Sequence, residues 1–247
     1  VPERPVACDE KPGKISDMFK ALFKNDQAMT VVVSIILVYT SLNICGNLVL
    51  YFFRFDVGNE GAYSIFAAVA FAAQVLVMMV IPLLRKRFSK SQLFISGFII
   101  QIAGFAVILI MAFAKLYTPQ SWYILCLPGI LIYLGYGMLN VIMTIFLSDS
   151  VDYGEVMNGT REESVIFSMQ TFTVKLASGV AVFLAGLVVD WIHLDTAAAV
   201  QTQDTLDALR MWMTIPSVIL LIVGIFVFKR FYKLDDARME EIKSKLN

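Results

Sequence analysis

The chain has 247 residues, of which 58% are hydrophobic and 16% charged, and its mean hydropathy of +0.74 excludes an ordinary soluble globular domain and describes a membrane protein. Lysine plus arginine equal aspartate plus glutamate at 20 each, with no basic stripe, so no nucleic-acid partner is expected. A lone histidine, His193, three scattered cysteines and no HExxH, GxSxG or GxxxxGK[ST] pattern leave no metal centre, disulfide framework or catalytic constellation, and neither an enzyme nor a bound cofactor is expected.

In chain order, residues 1–27 read as a cytoplasmic linker. They lack both an initiator Met and the apolar core of a signal peptide, as a piece of a larger protein would. Within the linker, Ile15, Met18, Phe19, Leu22 and Phe23 recur at helical spacing and predict an amphipathic helix lying along the membrane surface. A six-helix transmembrane domain follows over 28–228, built from apolar blocks at 28–53, 63–84, 92–113, 122–147, 164–189 and 211–228. Most exceed the ~20 residues that cross a hydrocarbon layer of ~30 Å. Residues 229–247 read as a cytoplasmic tail with a short solvated helix.

Charge outside the blocks orients them. One side receives 16 Lys and Arg, from the N-terminal segment, the Arg85–Lys90 loop, Arg161 and the tail; the other receives Arg54, Lys115 and Arg210. The positive-inside trend then predicts that both termini are cytoplasmic and that the protein lies in the cytoplasmic membrane, with the lipid bilayer as its first partner.

Lys175 is the one charged side chain inside any block. At 1.5 Å per residue it lies about 16 Å from the start of its block, near the bilayer midplane. A cation there costs at least ~2.5 kcal/mol and normally faces a bundle interior or aqueous cavity, paired with an acid, a carbonyl or a ligand. No acid occurs in the other five blocks, so the expected partner is a ligand or belongs to helices outside this chain. Thr171, four residues earlier, shares its face.

Polar stripes recur elsewhere. Tyr133, Tyr136, Asn140 and Thr144 follow helical spacing in the fourth block, as do Tyr39, Asn43 and Asn47 in the first. Amides, hydroxyls and rings suit a sugar, whose hydroxyls need paired donors and acceptors while its faces stack on aromatics; interhelical hydrogen bonds use the same residue types. Gly97 with Gly104, Gly135 with Gly137, and Gly179 with Ala185 and Gly186 are expected at close helix contacts. The loop 148–163 places Asp149, Asp152, Glu155, Glu162 and Glu163 against Arg161 alone, and so calls for basic partners in other loops, pairs whose breaking would open a cytoplasmic gate.

The stretch "SDSVDYGEVMNGTREESVIFSMQTFTVKLASG", with its D-Y-G-E, R-x-E-S, and Q-T followed by K, resembles the glycoside-pentoside-hexuronide:cation symporter family, the melibiose-permease branch of the major facilitator superfamily. "PLLRKRFSKSQLFISG" is similar to the basic loop between the eighth and ninth helices of that family. The resemblance implies an all-α membrane protein, the C-terminal half of a twelve-helix bundle of major-facilitator type. Its partner would be the N-terminal six-helix half, and its cargo a sugar or glycoside moved with Na⁺ or H⁺ by alternating access. Carried over, it implies a substrate and cation site at Lys175 and Thr171 and a cytoplasmic gate at Asp149, Asp152, Glu155 and Arg161; Gln170 beside Thr171, and Asn140 and Tyr136 of the polar stripe, are expected to line the same site. Asn140 stands where melibiose-type members have a sugar-contacting tryptophan, so the resemblance does not extend to their sugar specificity. The alternatives are a sodium-coupled lysolipid carrier and a six-helix accessory subunit that transports nothing.

Overall fold

A computed structural model describes residues 23–159 and 161–246. The amphipathic helix expected from Ile15 onward lies outside them except for Phe23 and Lys24, which are helical. The chain forms α1 (Asp26–Tyr51), which continues as a π-helical turn over Phe52–Val57, then α2 (Ala62–Leu84), α3 (Lys90–Phe113), a 3₁₀ turn at Trp122–Leu125 leading into α4 (Cys126–Asn158), α5 (Glu163–Trp191), α6 (Gln203–Phe231) and α7 (Asp236–Leu246). Six of these helices, with the turns continuous with them, are long and apolar enough to span a bilayer. This is a multi-pass membrane protein.

Two helices outrun their apolar blocks. α4 passes Leu147 and keeps its ladder to Asn158, ending at Gly159 in the left-handed conformation (φ 72°). Asp149, Asp152 and Glu155 therefore stand on a helix, where a loop was expected. α6 starts at Gln203, well before the expected 211, because Thr202 caps it by accepting from the Thr205 amide.

α1 and α4 are the inner helices of the bundle. α4 packs on α2, α3 and α1, and α1 packs on α5 and α6. Glycine lets α3 and α4 approach: a Cβ on Gly135 would lie 2.5 Å from the Gly97 carbonyl oxygen, and one on Gly104 would lie 2.7 Å from the Ile132 nitrogen. The expectation fails for Gly179 and Gly186, which have nothing within 4 Å of a Cβ. In their place a narrow stripe seats α5 on α1, with Thr173, Ala177, Ala181 and Ala185 buried at four-residue steps.

The two ends of the bundle are tied differently. At one, Asp56 from the π-helical turn accepts from Arg210 Nε (2.7 Å) and Nη2 (2.6 Å) and from the Tyr117 hydroxyl (2.7 Å), while Arg210 Nη1 donates to Asp207 (2.7 Å). The Arg210 and Asp56 side chains are 3% and 4% exposed. Burial, with the neighbouring Asp56 carboxylate, pushes the Tyr117 hydroxyl far above the ordinary tyrosine range. At the other end Phe94, Phe146, Phe228 and Tyr232 stack in a cluster. Beside them, Leu234, Met239 and Ile242 dock α7 near Tyr153 and Val156 of α4.

Candidate functional site

The half-exposed polar residues of α1 and α4 and the exposed ones of α5 form one face. On α1, the Asn43 side chain donates to the Tyr39 carbonyl and the Asn47 side chain to the Asn43 carbonyl, both at 2.7 Å. These bonds satisfy amide groups within their own helix and leave the ladder of side chains at i, i+4 and i+8 along the surface. On α4, Asn140 donates to the Tyr39 hydroxyl at 2.6 Å, and the Thr144 hydroxyl to the Asn140 carbonyl at 3.1 Å. Tyr136 is buried at the same junction, edge-on to Tyr39 with ring centroids 5.5 Å apart. Gln170 of α5 donates to Thr144 at 3.4 Å, which closes the chain of contacts across three helices.

Thus Tyr136, Asn140 and Gln170 come together in one network, extended by Tyr39 and Thr144. Thr171 and Lys175 lie next to it on the exposed side of α5. The Thr171 hydroxyl donates back to the Phe167 carbonyl at 3.3 Å. Ser164, Ser168, Thr171 and Lys175 are all exposed and spaced by four, three and four residues, a polar line along a helix whose opposite side is the alanine stripe. Among the described residues no acid pairs with Lys175. An ammonium on a polar line in the middle of a spanning helix is oriented toward water or another body, since lipid would oppose it. Further along α1 and α5 an open cleft of about 540 Å³ is lined by Asn47, Tyr51, Phe183, Gly186 and Asp190, so the open face of Gly186 serves the cleft and leaves α1 at a distance.

The residues expected to form a gate divide into two groups. Asp149 is 5% exposed and paired with Lys90 at the α3–α4 contact, where Lys90 also lies 3.5 Å from Asp236. Its basic partner comes from the first residue of another helix, where a loop residue was expected. Asp152 and Glu155 are bound within their own hairpin, since Arg161 Nη1 donates to them at 3.1 and 2.8 Å and Arg161 also meets Glu163 at 3.0 Å. These carboxylates, Glu155 foremost, hold the guanidinium above its ordinary range. The Asp149 pair is thus internal packing, while the Arg161 cluster is solvent-accessible.

Sequence reasoning passed over Asp56, Arg210 and Lys90. Each lies at the margin of an apolar block, where a charge reads as flanking solvent, and their partners are distant in the chain. A usable signal was that Asp56 and Glu60 are the only acids in the hairpin after the first block, while Arg210 is the only Lys or Arg between Lys175 and Lys229.

Comparison with known proteins agrees with this architecture. A family model described as "MFS/sugar transport protein" matches residues 3–236. The chain is 25% identical over 233 residues to an uncharacterized symporter, YjmB, of Bacillus subtilis, covering 94% of this chain and 49% of that protein. It is 23% identical to the raffinose carrier protein of Pediococcus pentosaceus (94% of this chain, 35% of that protein). To the isoprimeverose transporter of Lactiplantibacillus pentosus it is 25% identical (90% and 44%). The chain therefore spans half or less of the length of these relatives. Its all-helical build and six spans fit half of a major facilitator bundle, and with the family match over nearly its whole length, this chain belongs to the MFS/sugar transport protein family.

Proposed function

We propose that this chain is the C-terminal six-helix half of a secondary transporter that moves a sugar or glycoside across the cytoplasmic membrane together with Na⁺ or H⁺. In this reading the α1–α4–α5 face meets the N-terminal half, with the substrate between them, and both termini are cytoplasmic. Relatives named as raffinose and isoprimeverose carriers support the cargo class.

The observation that carries the proposal is the unpaired Lys175 on a polar face. A buried site needs its charges compensated, and α1, α4 and α5 offer amides, hydroxyls and rings but no acid beside that ammonium. Acids on the other half, or the cation and sugar themselves, complete the balance. Among the described residues no group of three His, Cys, Asp or Glu side chains is placed to hold a cation, which fits a coupling-ion site made chiefly by the partner half. Tyr136, Asn140, Gln170 and Thr171 contact or position the sugar, and breaking the Arg161 cluster with Asp152 and Glu155 accompanies opening at that end. Asp149 belongs to the same end through its bond with Lys90.

The test is Lys175→Ala in the full-length protein, with surface expression measured alongside uptake. Gradient-driven accumulation of a labelled glycoside falls by at least a hundredfold while expression stays near wild type. Accumulation at wild-type levels would overturn the role of Lys175. Competition by lysolipids with no competition by glycosides would overturn the cargo.

A further inference from the structure

At the end of the bundle where α7 docks, a second open cleft of about 470 Å³ lies between the α2–α3 turn and α7. Its lining includes Arg85, Lys86, Arg87 and Lys90 from the turn and the start of α3, and Asp236, Glu240 and Lys243 from α7. The acids do not neutralise it. Asp236 is held 3.5 Å from both Arg85 and Lys90, Lys90 is further committed to Asp149, and Glu240 is a single negative charge against the three positive ones of Lys86, Arg87 and Lys243. Among the described residues, Lys86, Arg87 and Lys243 have no acidic partner and are exposed. A surplus of positive charge therefore converges on one concave surface.

The position of the cleft selects among anions. α2 ends at Leu84 and α3 begins at Lys90, so the cleft sits at the level where the hydrocarbon layer gives way to headgroups. Phe88, part of the cleft's own lining, is 46% exposed, and Met79 and Leu83, one turn apart in the last turns of α2 before it, are 71% and 61% exposed. A polar anion socket with an apolar ramp beside it has the two-part chemistry of a phospholipid, whereas a soluble anion makes no use of the ramp.

We propose that this cleft binds the phosphate headgroup of an anionic phospholipid, whose acyl chains run along Met79 and Leu83. Arg87, Lys86 and Lys243 supply the charge, and Arg85 is oriented by Asp236. The bound lipid then bridges the α2–α3 turn to α7, and stiffens the contact that α7 otherwise makes through its small apolar patch. The inference rests on the membrane setting alone and is independent of what is transported.

Native mass spectrometry of the full-length protein, titrated with phosphatidylglycerol or with phosphatidylcholine of the same acyl chains, tests it. Wild type retains phosphatidylglycerol in preference to phosphatidylcholine. The triple variant K86Q/R87Q/K243Q weakens phosphatidylglycerol binding about tenfold or more, as expected for loss of three interfacial cations, and leaves phosphatidylcholine unchanged. A charge-matched control at the same end of the bundle but outside the cleft, K229Q/R230Q/K233Q, changes it less than twofold. If the first triple misfolds, Lys86→Gln and Arg87→Gln singly weaken binding severalfold each. Equal effects of the two triples, or no effect of the first, overturn the site. Displacement of the lipid by millimolar inorganic phosphate overturns the lipid in favour of a free anion.

Discussion

Replacing Arg210 by methionine keeps the volume and the apolar stem but leaves the Asp56 carboxylate, 4% exposed, with the Tyr117 hydroxyl as its remaining side-chain donor among the described residues. Three short bonds converge on that carboxylate in the native protein, two of them a bidentate grip from one guanidinium at 2.6 and 2.7 Å. Stranding a buried charge in this way costs about 3–5 kcal/mol. Arg210→Lys retains a charge without the fork and falls between wild type and the methionine variant. Asp207→Asn removes the charge from a side chain that is 39% exposed while keeping an oxygen that can accept from Arg210 Nη1, and costs about 1 kcal/mol or less. The decisive variant is the double replacement Asp56→Leu with Arg210→Met, because removing both charges also removes the penalty of desolvating them. It is expected to recover most of the loss, so the two single effects are strongly non-additive. The assay is thermal unfolding of the purified full-length protein, in which Arg210→Met lowers the midpoint by on the order of 10 °C. If the double variant loses as much as the sum of the singles, or if Arg210→Met is no worse than Lys115→Met in the exposed turn nearby, the pair is not the fastening described here.

Tyr117 supplies a pH test at the same end. Its folded pKa is raised by burial and by Asp56, so its contribution to stability is full below the ordinary tyrosine value of about 10 and is lost as pH rises above it. Wild type is therefore expected to lose more stability than Tyr117→Phe between pH 9 and pH 11, read as the difference between their unfolding midpoints; parallel curves refute it. Glycine substitutions separate the two kinds of small residue. Gly135→Ala drives a Cβ to 2.5 Å from the Gly97 carbonyl and 2.6 Å from the Gln101 amide nitrogen, and should cost about 1–3 kcal/mol or more. Gly179→Ala, with nothing within 4 Å, should be neutral or stabilising by up to about 1 kcal/mol in thermal unfolding.

Hydropathy made the spans and the isolation of Lys175 legible, because crossing a bilayer is a demand on composition that each segment meets by itself. The stripe Tyr136, Asn140, Thr144 was legible for the same reason: helical spacing alone puts those residues on one face. What hydropathy cannot see is hydrogen bonding beyond the membrane surface, and α4 accordingly continues through Asp149, Asp152 and Glu155 after its apolar run has ended. Pairings such as Arg210 with Asp56 or Lys90 with Asp149 depend on which helix ends meet, and that is decided by packing across the bundle. Glycine was equally ambiguous, since Gly135 and Gly179 have similar apolar surroundings in the chain and opposite surroundings in space.

The π-helical turn Phe52–Val57 amounts to one residue wound into α1 in excess of the ordinary count. Each residue of an α-helix advances the azimuth by about 100°, so deleting one residue from this turn would restore regular winding and swing Asp56 about a quarter of the way around the axis. The carboxylate would then point away from Arg210 while composition and span length hardly changed. Insertions and deletions here are consequently governed by phase, and a homologue with a regular helix at this point must have moved its acid by one position or abandoned the pair.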